Sequence, residues 1–156
     1  MTDPATDTLE RARGRALSLL TRRDRSRREL QRALARRGFE SSVIDTVLHS
    51  LEEAKLLDEA RLAENWAGRR LRQRYGSRRV MQELNARGID RETAARAVEG
   101  AYGDIDEAEL ARSFLVGRGM TAASFQPPDL ARTVRILQRR GFSHAVVGRV
   151  RESYFP

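Results

Sequence analysis

The sequence predicts an all-α protein made of tandem three-helix repeats, about nine helices in an elongated, curved array. Three observations carry that prediction. Apolar residues recur at intervals of three and four along most of the chain, and no stretch alternates as a strand would. A glycine followed by an apolar residue returns three times, as Gly38-Phe39, Gly88-Ile89 and Gly141-Phe142, at spacings of 50 and 53 residues. Each pair has the same surroundings. A leucine stands four residues before the glycine (Leu34, Leu84, Leu137), and small or apolar residues stand four, eight and twelve after its partner: Val43, Val47, Leu51; Thr93, Ala97, Ala101; Val146, Val150, Tyr154. Agreement of that depth is the signature of an internal repeat. Repeats that each bury a narrow face tend to stack, which gives the extended array. A compact nine-helix bundle is the alternative that length leaves open.

Taken in order, residues 1–8 read as a polar tail. Repeats are expected over 9–55, 56–103 and 104–156. In the first, Leu9, Ala12, Ala16, Leu19 and Leu20 mark one helix. Asp24 or Ser26 can cap a second, carrying Leu30, Ala33 and Leu34, and Ser41 can cap a third. In the second repeat, Asp58 is the expected cap of a helix with Leu62, Trp66 and Leu71 inward, Ser77 starts the next, and Asp90 caps the last. In the third, Asp104 or Asp106 opens a helix that buries Leu110, Phe114 and Leu115. Residues 116–129 then form the longest break, a surface loop or a hinge, because Pro127-Pro128 stops any helix from crossing it. With Arg37 at the cap position, Gly38 can close its helix in the left-handed conformation and turn Phe39 back onto Leu34. Gly88 and Gly141 repeat the device.

Several function classes lack their residues. There is no cysteine, and the two histidines, His49 and His144, stand far apart, so no metal or cofactor is expected. Asp58 and Glu59 suit a first helical turn, where they complement the helix dipole, better than a metal. Gly117-Arg118-Gly119 lacks the strand-to-helix context of a phosphate loop. No run is long and apolar enough for a membrane span, and the acidic N-terminus is unlike a secretory signal, so the cytoplasm is expected. No catalytic constellation stands out, and a non-enzymatic role is expected.

The net charge is +8, with Lys55 as the only lysine among 30 basic residues. Arg22 to Arg37 holds eight arginines against Asp24 and Glu29, and Arg69 to Arg79 holds six with no acid. On helices, Arg69 and Arg72 share a face, as do Arg70 and Arg74. A turn at Tyr75-Gly76-Ser77 then brings in Arg78 and Arg79, with Tyr75 available for stacking. Such a ridge suits phosphate or carboxylate, which the planar guanidinium grips with two bonds. Glu64 and Glu83 are the acids that could neutralise part of it. Arg25, Arg28 and Arg32 from the earlier run join Arg69, Arg70, Arg72, Arg74, Tyr75, Arg78 and Arg79 as candidate contacts. Trp66, at helical spacing, is expected in the core. The short turn between the second and third helices also has a helix-turn-helix look, but Ser41-Ser42-Val43, Arg91-Glu92-Thr93 and Ser143-His144-Ala145 make a poor base-reading set.

Three stretches, RRDRSRRELQRALARRGF (Arg22–Phe39), LLDEARLAENW (Leu56–Trp66) and RYGSRRVMQELNARGI (Arg74–Ile89), resemble the bacterial RecX regulatory proteins. The likeness runs from Leu9 almost to the end and is loosest in the third repeat. It implies a modulator of RecA that lies along the groove of the RecA filament on single-stranded DNA and inhibits recombinase, ATPase and coprotease activities. The expected partners are the RecA filament and single-stranded DNA, direct or through RecA, and a monomer with no membrane association is expected. The middle motif departs from the family at Asp58-Glu59 and Leu62, and the first at Ala33. A DNA-binding helical-repeat protein acting without RecA is the competing reading.

Overall fold

A computed structural model describes residues 4–154, and among these nine α-helices and one short 3₁₀ turn are present with no strand. The helices are α1 (Pro4–Arg22), α2 (Arg27–Ala35), α3 (Ser41–Glu53), α4 (Glu59–Arg72), α5 (Ser77–Ala86), α6 (Arg91–Tyr102), α7 (Glu107–Gly117), α8 (Leu130–Arg140) and α9 (His144–Tyr154). They group in threes around three consecutive cores. Ala12, Leu30, Leu34, Leu48 and Leu51 centre the first, Ala63, Ala67, Val80, Leu84 and Ala94 the second, and Ala111, Leu115, Leu137, Phe142 and Val150 the third. Leu110 packs against both the second and the third. The accessible surface is 9647 Å², whereas a compact monomer of this mass would expose about 7,900 Å². The excess is that of an extended chain of units.

The helix ends follow the sequence in most places. Ser26 caps α2 with a full capping box, its hydroxyl accepting from the Glu29 amide while Glu29 accepts from the Ser26 amide. Asp58, Asp90 and Asp106 cap α4, α6 and α7. Gly38, Gly88 and Gly141 have φ of +84°, +88° and +101°. In each case the next amide returns to the leucine carbonyl: Phe39 to Leu34 at 3.4 Å, Ile89 to Leu84 at 3.1 Å, Phe142 to Leu137 at 3.1 Å.

Three expectations are corrected. Helix α1 starts at Pro4, so residues 4–8 are helical where a tail was expected; proline suits a first turn, whose amides are unpaired anyway. Residues 1–3 of that tail lie outside the described residues. Ser41 is the first residue of α3 and its cap position is Glu40, without a side-chain bond. The 116–129 break is not an open loop: the 3₁₀ turn Ala122–Phe125 drives Phe125 into the third core, where it stacks on Tyr154 at 5.5 Å. The Thr133 hydroxyl holds the turn by donating to the Ser124 carbonyl at 2.7 Å.

Consecutive units are joined by one device used twice. The N-terminus of a unit's second helix docks on the next unit, between that unit's Arg-Gly turn and the first-turn glutamate of its leading helix. At the first joint Ser26, fully buried, donates its hydroxyl to the Arg87 carbonyl at 2.6 Å, and Glu59 accepts from the Arg27 amide at 2.7 Å. At the second the Gly76 amide donates to the Arg140 carbonyl at 3.0 Å, and Glu107 accepts from the Ser77 amide at 3.0 Å. Helix N-termini hold unpaired amides and a positive dipole end, so a carboxylate placed there satisfies both.

Gly76 is required by space rather than by dihedral. Its φ is −75°, but a Cβ there would lie 2.3 Å from the Gly141 carbonyl oxygen and 2.6 Å from the Phe142 nitrogen. Backbone meets backbone, and neither side can yield without separating the units. Gly76→Ala should therefore cost about 2 kcal/mol or more in urea unfolding. Gly14→Ala, in an open position of α1 with nothing within 4 Å, should instead stabilise by about 0.5–1 kcal/mol. Equal effects from the two would remove the close approach as the reason for Gly76.

The joint also predicts a pH effect. Burial raises the Glu59 carboxyl above the ordinary glutamate value, and the charges of Glu52 and Asp90 add to the rise, against the Arg27 amide bond. A raised folded-state value means that ionising Glu59 costs stability as pH climbs from the unfolded value through the folded one. Glu59→Gln keeps the acceptor for Arg27 and removes that cost. The variant should melt above the parent at pH 7 and converge with it near pH 4 in thermal scans; a gap that widens on acidification would reverse the sign.

Candidate nucleic-acid and protein interface

The predicted ridge lies where α4 ends and α5 begins. The turn between them is closed by Arg74 in the left-handed region, φ 57°. Its amide returns to the Leu71 carbonyl at 2.8 Å, and that of Tyr75 to Arg70 at 3.0 Å. The matching turn after α7 has the same bonds with Gly119 in the left-handed position. Arg74 therefore occupies a site where glycine would be the less strained residue.

Six arginines without a local acid are not six free charges, because α5 brings Glu83 beneath them. Glu83 accepts from the Trp66 indole at 2.9 Å, from Arg70 at 2.8 and 3.1 Å, and from Arg79 at 2.9 Å. Burial alone would raise this carboxyl, but the bonds from Arg79, Trp66 and Arg70 outweigh it and hold it below the usual glutamate value. Arg70 also stacks on Trp66 and Tyr75, its guanidinium carbon 4.6 and 4.7 Å from the ring centroids. Arg70 and Arg79 are thus committed within the fold.

Tyr75 is corrected as well. Its ring is covered by Arg140 at 3.5 Å, with Arg70 and Arg79 at 4.7 and 5.1 Å, so it is not open for stacking on a ligand. Arg140 anchors itself on the Gln73 and Arg74 carbonyls. Burial lowers the Arg140 guanidinium from its ordinary value, and the charges of Arg79 and Arg70 push the same way. Burial conversely raises the Tyr102 phenol, which stays neutral and donates to the Tyr75 carbonyl at 2.8 Å.

Among the described residues Arg69, Arg72 and Arg78 are exposed without a carboxylate partner, and Arg74 reaches the Ser113 hydroxyl at 3.0 Å. In the first unit Arg32 is exposed and, among the described residues, has no carboxylate partner, while Arg28, also exposed, lays its methylenes over Gly88. Arg25 is half-buried, and its Nε has no hydrogen-bond partner. Burial, then the charges of Arg23, Arg15 and Arg22, lowers it against the pull of Glu29. The predicted residues therefore fall on two neighbouring units, and the structure separates them into bound and free.

Between those units opens a cleft of about 790 Å³, whose walls include Arg22, Arg23, Asp24, Glu29, Trp66, Arg69 and Arg87. Arg22 and Arg23 were not singled out from the sequence, although they open the first arginine run. Trp66 is half-buried; it packs on the second core and also turns a face to this cleft, with Arg87 at 5.0 Å and Arg69 at 5.6 Å. Arg87 and Arg140 were missed too. Their signal was position, since each stands directly before a repeat glycine. Among the described residues no cluster of three or more His, Cys, Asp or Glu could hold a metal. His49 faces Glu53 at 3.3 Å and His144 faces Gln138 at 3.2 Å. Among the described residues no helix is long and apolar enough to cross a membrane.

Comparison with known proteins agrees with this architecture. Family models described as the first and second three-helix domains of RecX match residues 12–51 and 58–98. A regulatory protein RecX of Halorhodospira halophila is 38% identical over 135 residues, covering 86% of this chain and 82% of that one. One from Thermobifida fusca is 37% identical over 146 residues, covering 92% and 78%. A crystal structure of RecX from Lactobacillus salivarius superposes with a TM-score of 0.80 at 19% identity, covering 96% of this chain and 97% of that one, which speaks for the fold. On the two domain matches and on identity along most of its length, this chain belongs to the RecX family.

Proposed function

We propose that the protein regulates by binding: it docks on the RecA filament on single-stranded DNA and inhibits its recombinase, ATPase and coprotease activities, and so modulates homologous recombination, DNA repair and the SOS response. The observation that carries this reading is a set of exposed arginines, Arg69, Arg72 and Arg78, without a carboxylate partner among the described residues, beside Arg70 and Arg79, which pair with Glu83. Paired residues fix geometry; unpaired ones retain their charge for a partner. A nucleoprotein filament offers both phosphates and acidic side chains, and guanidinium suits each. Family membership supports the regulatory role. No cofactor is needed, the expected compartment is the cytoplasm, and the protein would act as a monomer whose extended shape spans several sites on a polymer.

The second reading, direct DNA binding without RecA, is favoured by the net charge of +8 and the arginine-lined cleft. Affinity for bare single-stranded DNA, set against affinity for the filament, separates the two. Autonomous binding would be as tight on bare single-stranded DNA as on the filament and would fall steeply with ionic strength.

The test is ATP hydrolysis by RecA on single-stranded DNA. The wild-type chain should suppress it at substoichiometric amounts. The combined variant Arg69→Glu, Arg72→Glu and Arg78→Glu should need at least about tenfold more protein for half-inhibition. Its unfolding free energy should stay within about 0.5 kcal/mol per site of the parent, because solvated positions tolerate change. Glu83→Ala should do the opposite first, losing about 1–3 kcal/mol of stability by stranding Trp66 and Arg70. Full ATPase activity at an excess of wild-type protein would end the filament reading, and unaltered inhibition by the triple variant would move the contact elsewhere.

A further inference from the structure

We infer that the cleft between the first and second units is a binding site for a nucleoside phosphate, with the base against Trp66 and the phosphate on Arg22, Arg23 and Arg69. The inference deepens the second reading above, direct nucleic-acid binding, by naming where and how one nucleotide is held. It does not depend on RecA.

The cleft encloses about 790 Å³, within the usual range of pockets that hold a small organic molecule. Its lining divides by chemistry. Leu20, Leu62, Trp66 and Ala86 make apolar walls, and the Asn65 amide offers both a donor and an acceptor group. Arg22, Arg23 and Arg69 also line it, and all three are exposed with no carboxylate partner among the described residues. Arg22 ends α1 and Arg69 belongs to α4, so the free cations come from both units.

The three arginines over the Trp66 ring are not equivalent. Arg70, at 4.6 Å, is tied to Glu83 at 2.8 Å, and Arg87, at 5.0 Å, forks Glu29 at 3.0 and 2.9 Å. Arg69 is the farthest, at 5.6 Å, and no carboxylate holds it. A planar base can take the place of the Arg69 guanidinium at the indole, and the guanidinium then turns to the phosphate attached to that base. Stacking on an aromatic ring and guanidinium bonds to phosphate are the two contacts that hold unpaired nucleotides.

The α1 side of the cleft is short of negative charge. Burial first, then the charges of Arg23, Arg15 and Arg22, lowers the Arg25 guanidinium against the pull of Glu29, which is itself committed to Arg87. The Nε atoms of Arg15 and Arg25 are buried without a hydrogen-bond partner. A phosphate set among these guanidinium groups relieves their mutual repulsion. An acidic peptide is the poorer occupant. Asp24, Glu29 and Glu83 line the same cleft and would repel a run of carboxylates. A nucleotide keeps its charge at one end, and the amino group of a neutral base can donate to the exposed Asp24.

The chain has one tryptophan, so its fluorescence reports on the cleft directly. The probes are adenosine monophosphate and a single-stranded oligodeoxyadenylate of about 12 nucleotides, added without RecA, and both should quench the fluorescence saturably. Half-quenching by the oligonucleotide at a concentration at least about tenfold lower assigns the site to a strand, and a smaller gap assigns it to a free nucleotide. Ribose phosphate, which lacks the base, should leave the fluorescence unchanged, and so should polyglutamate. Arg22→Glu combined with Arg23→Glu should raise the half-quenching concentration by at least about tenfold, with an unchanged fold by circular dichroism. Quenching by ribose phosphate or polyglutamate as strong as by the nucleotide, no quenching by either base-bearing probe, or an unmoved half-point in the double variant would overturn the site. A dye-labelled oligonucleotide that binds by anisotropy yet leaves Trp66 unquenched would overturn it as well, while keeping direct DNA binding.

Discussion

The rest of the molecule depends on how one unit receives the helix end of the unit before it. Each three-helix core is small, and the faces between cores are narrow, so apolar area alone gives a weak connection. The joint compensates by satisfying groups that any isolated unit would leave unpaired. Amides at the start of α2 and α5 find Glu59 and Glu107, and the Arg-Gly turns find a donor in Ser26 or Gly76. A buried polar group left without a partner costs on the order of 1–3 kcal/mol, so pulling two units apart incurs several such costs unless water enters. That makes the angle between neighbours a property of hydrogen-bond geometry, which is directional, and less a property of hydrophobic contact, which is not.

This constraint explains why arginine serves in two roles in one stretch. Arg87 and Arg140 sit directly before the repeat glycines and anchor joints, one on a carboxylate and the other on backbone carbonyls above Tyr75. Arg70 and Arg79 converge on Glu83. A lysine could not fork a carboxylate and lie flat on a ring at once. Arg70 and Arg79 take up Glu83, and no carboxylate among the described residues pairs with Arg69, Arg72 or Arg78. The basic surface is therefore a remainder, defined by what the joints do not consume.

Much of this was legible in the sequence. The helical spacing, the glycine period and the leucines four residues before each glycine gave the units and their turns, since helix closure is local and obeys backbone sterics. Ser26, Asp58 and Asp90 could be read as caps for the same reason. Pairing between distant residues was not legible. Tyr75 looked available because Arg140 is 65 positions away, and the ridge looked unneutralised because Glu83 counts as an outsider until α5 folds back against α4. Phe125 looked like loop because a 3₁₀ turn has too few residues for a periodic signal. The helix at residues 4–8 was missed because a polar opening with proline resembles a tail and equally suits a first turn.

Arg74 ties the basic surface to the joint. Glycine fills the equivalent turn after α7, yet here an arginine accepts the left-handed conformation, at a cost on the order of 1 kcal/mol. What the residue provides lies on the third unit: its carbonyl accepts from Arg140 and its guanidinium reaches Ser113 on α7. The carbonyl contact would survive with any residue in that turn, whereas the Ser113 contact needs a long cationic side chain. The strained turn thus sets a positive charge across the boundary between two units, a few residues from the free Arg72 and Arg78. A partner that grips this surface would hold both units at once, and any change in the angle between them would alter the surface it grips. Unit angle and charge pattern are therefore one variable, and a stiff joint is what lets a repeat protein present a fixed spacing of charge to a periodic polymer.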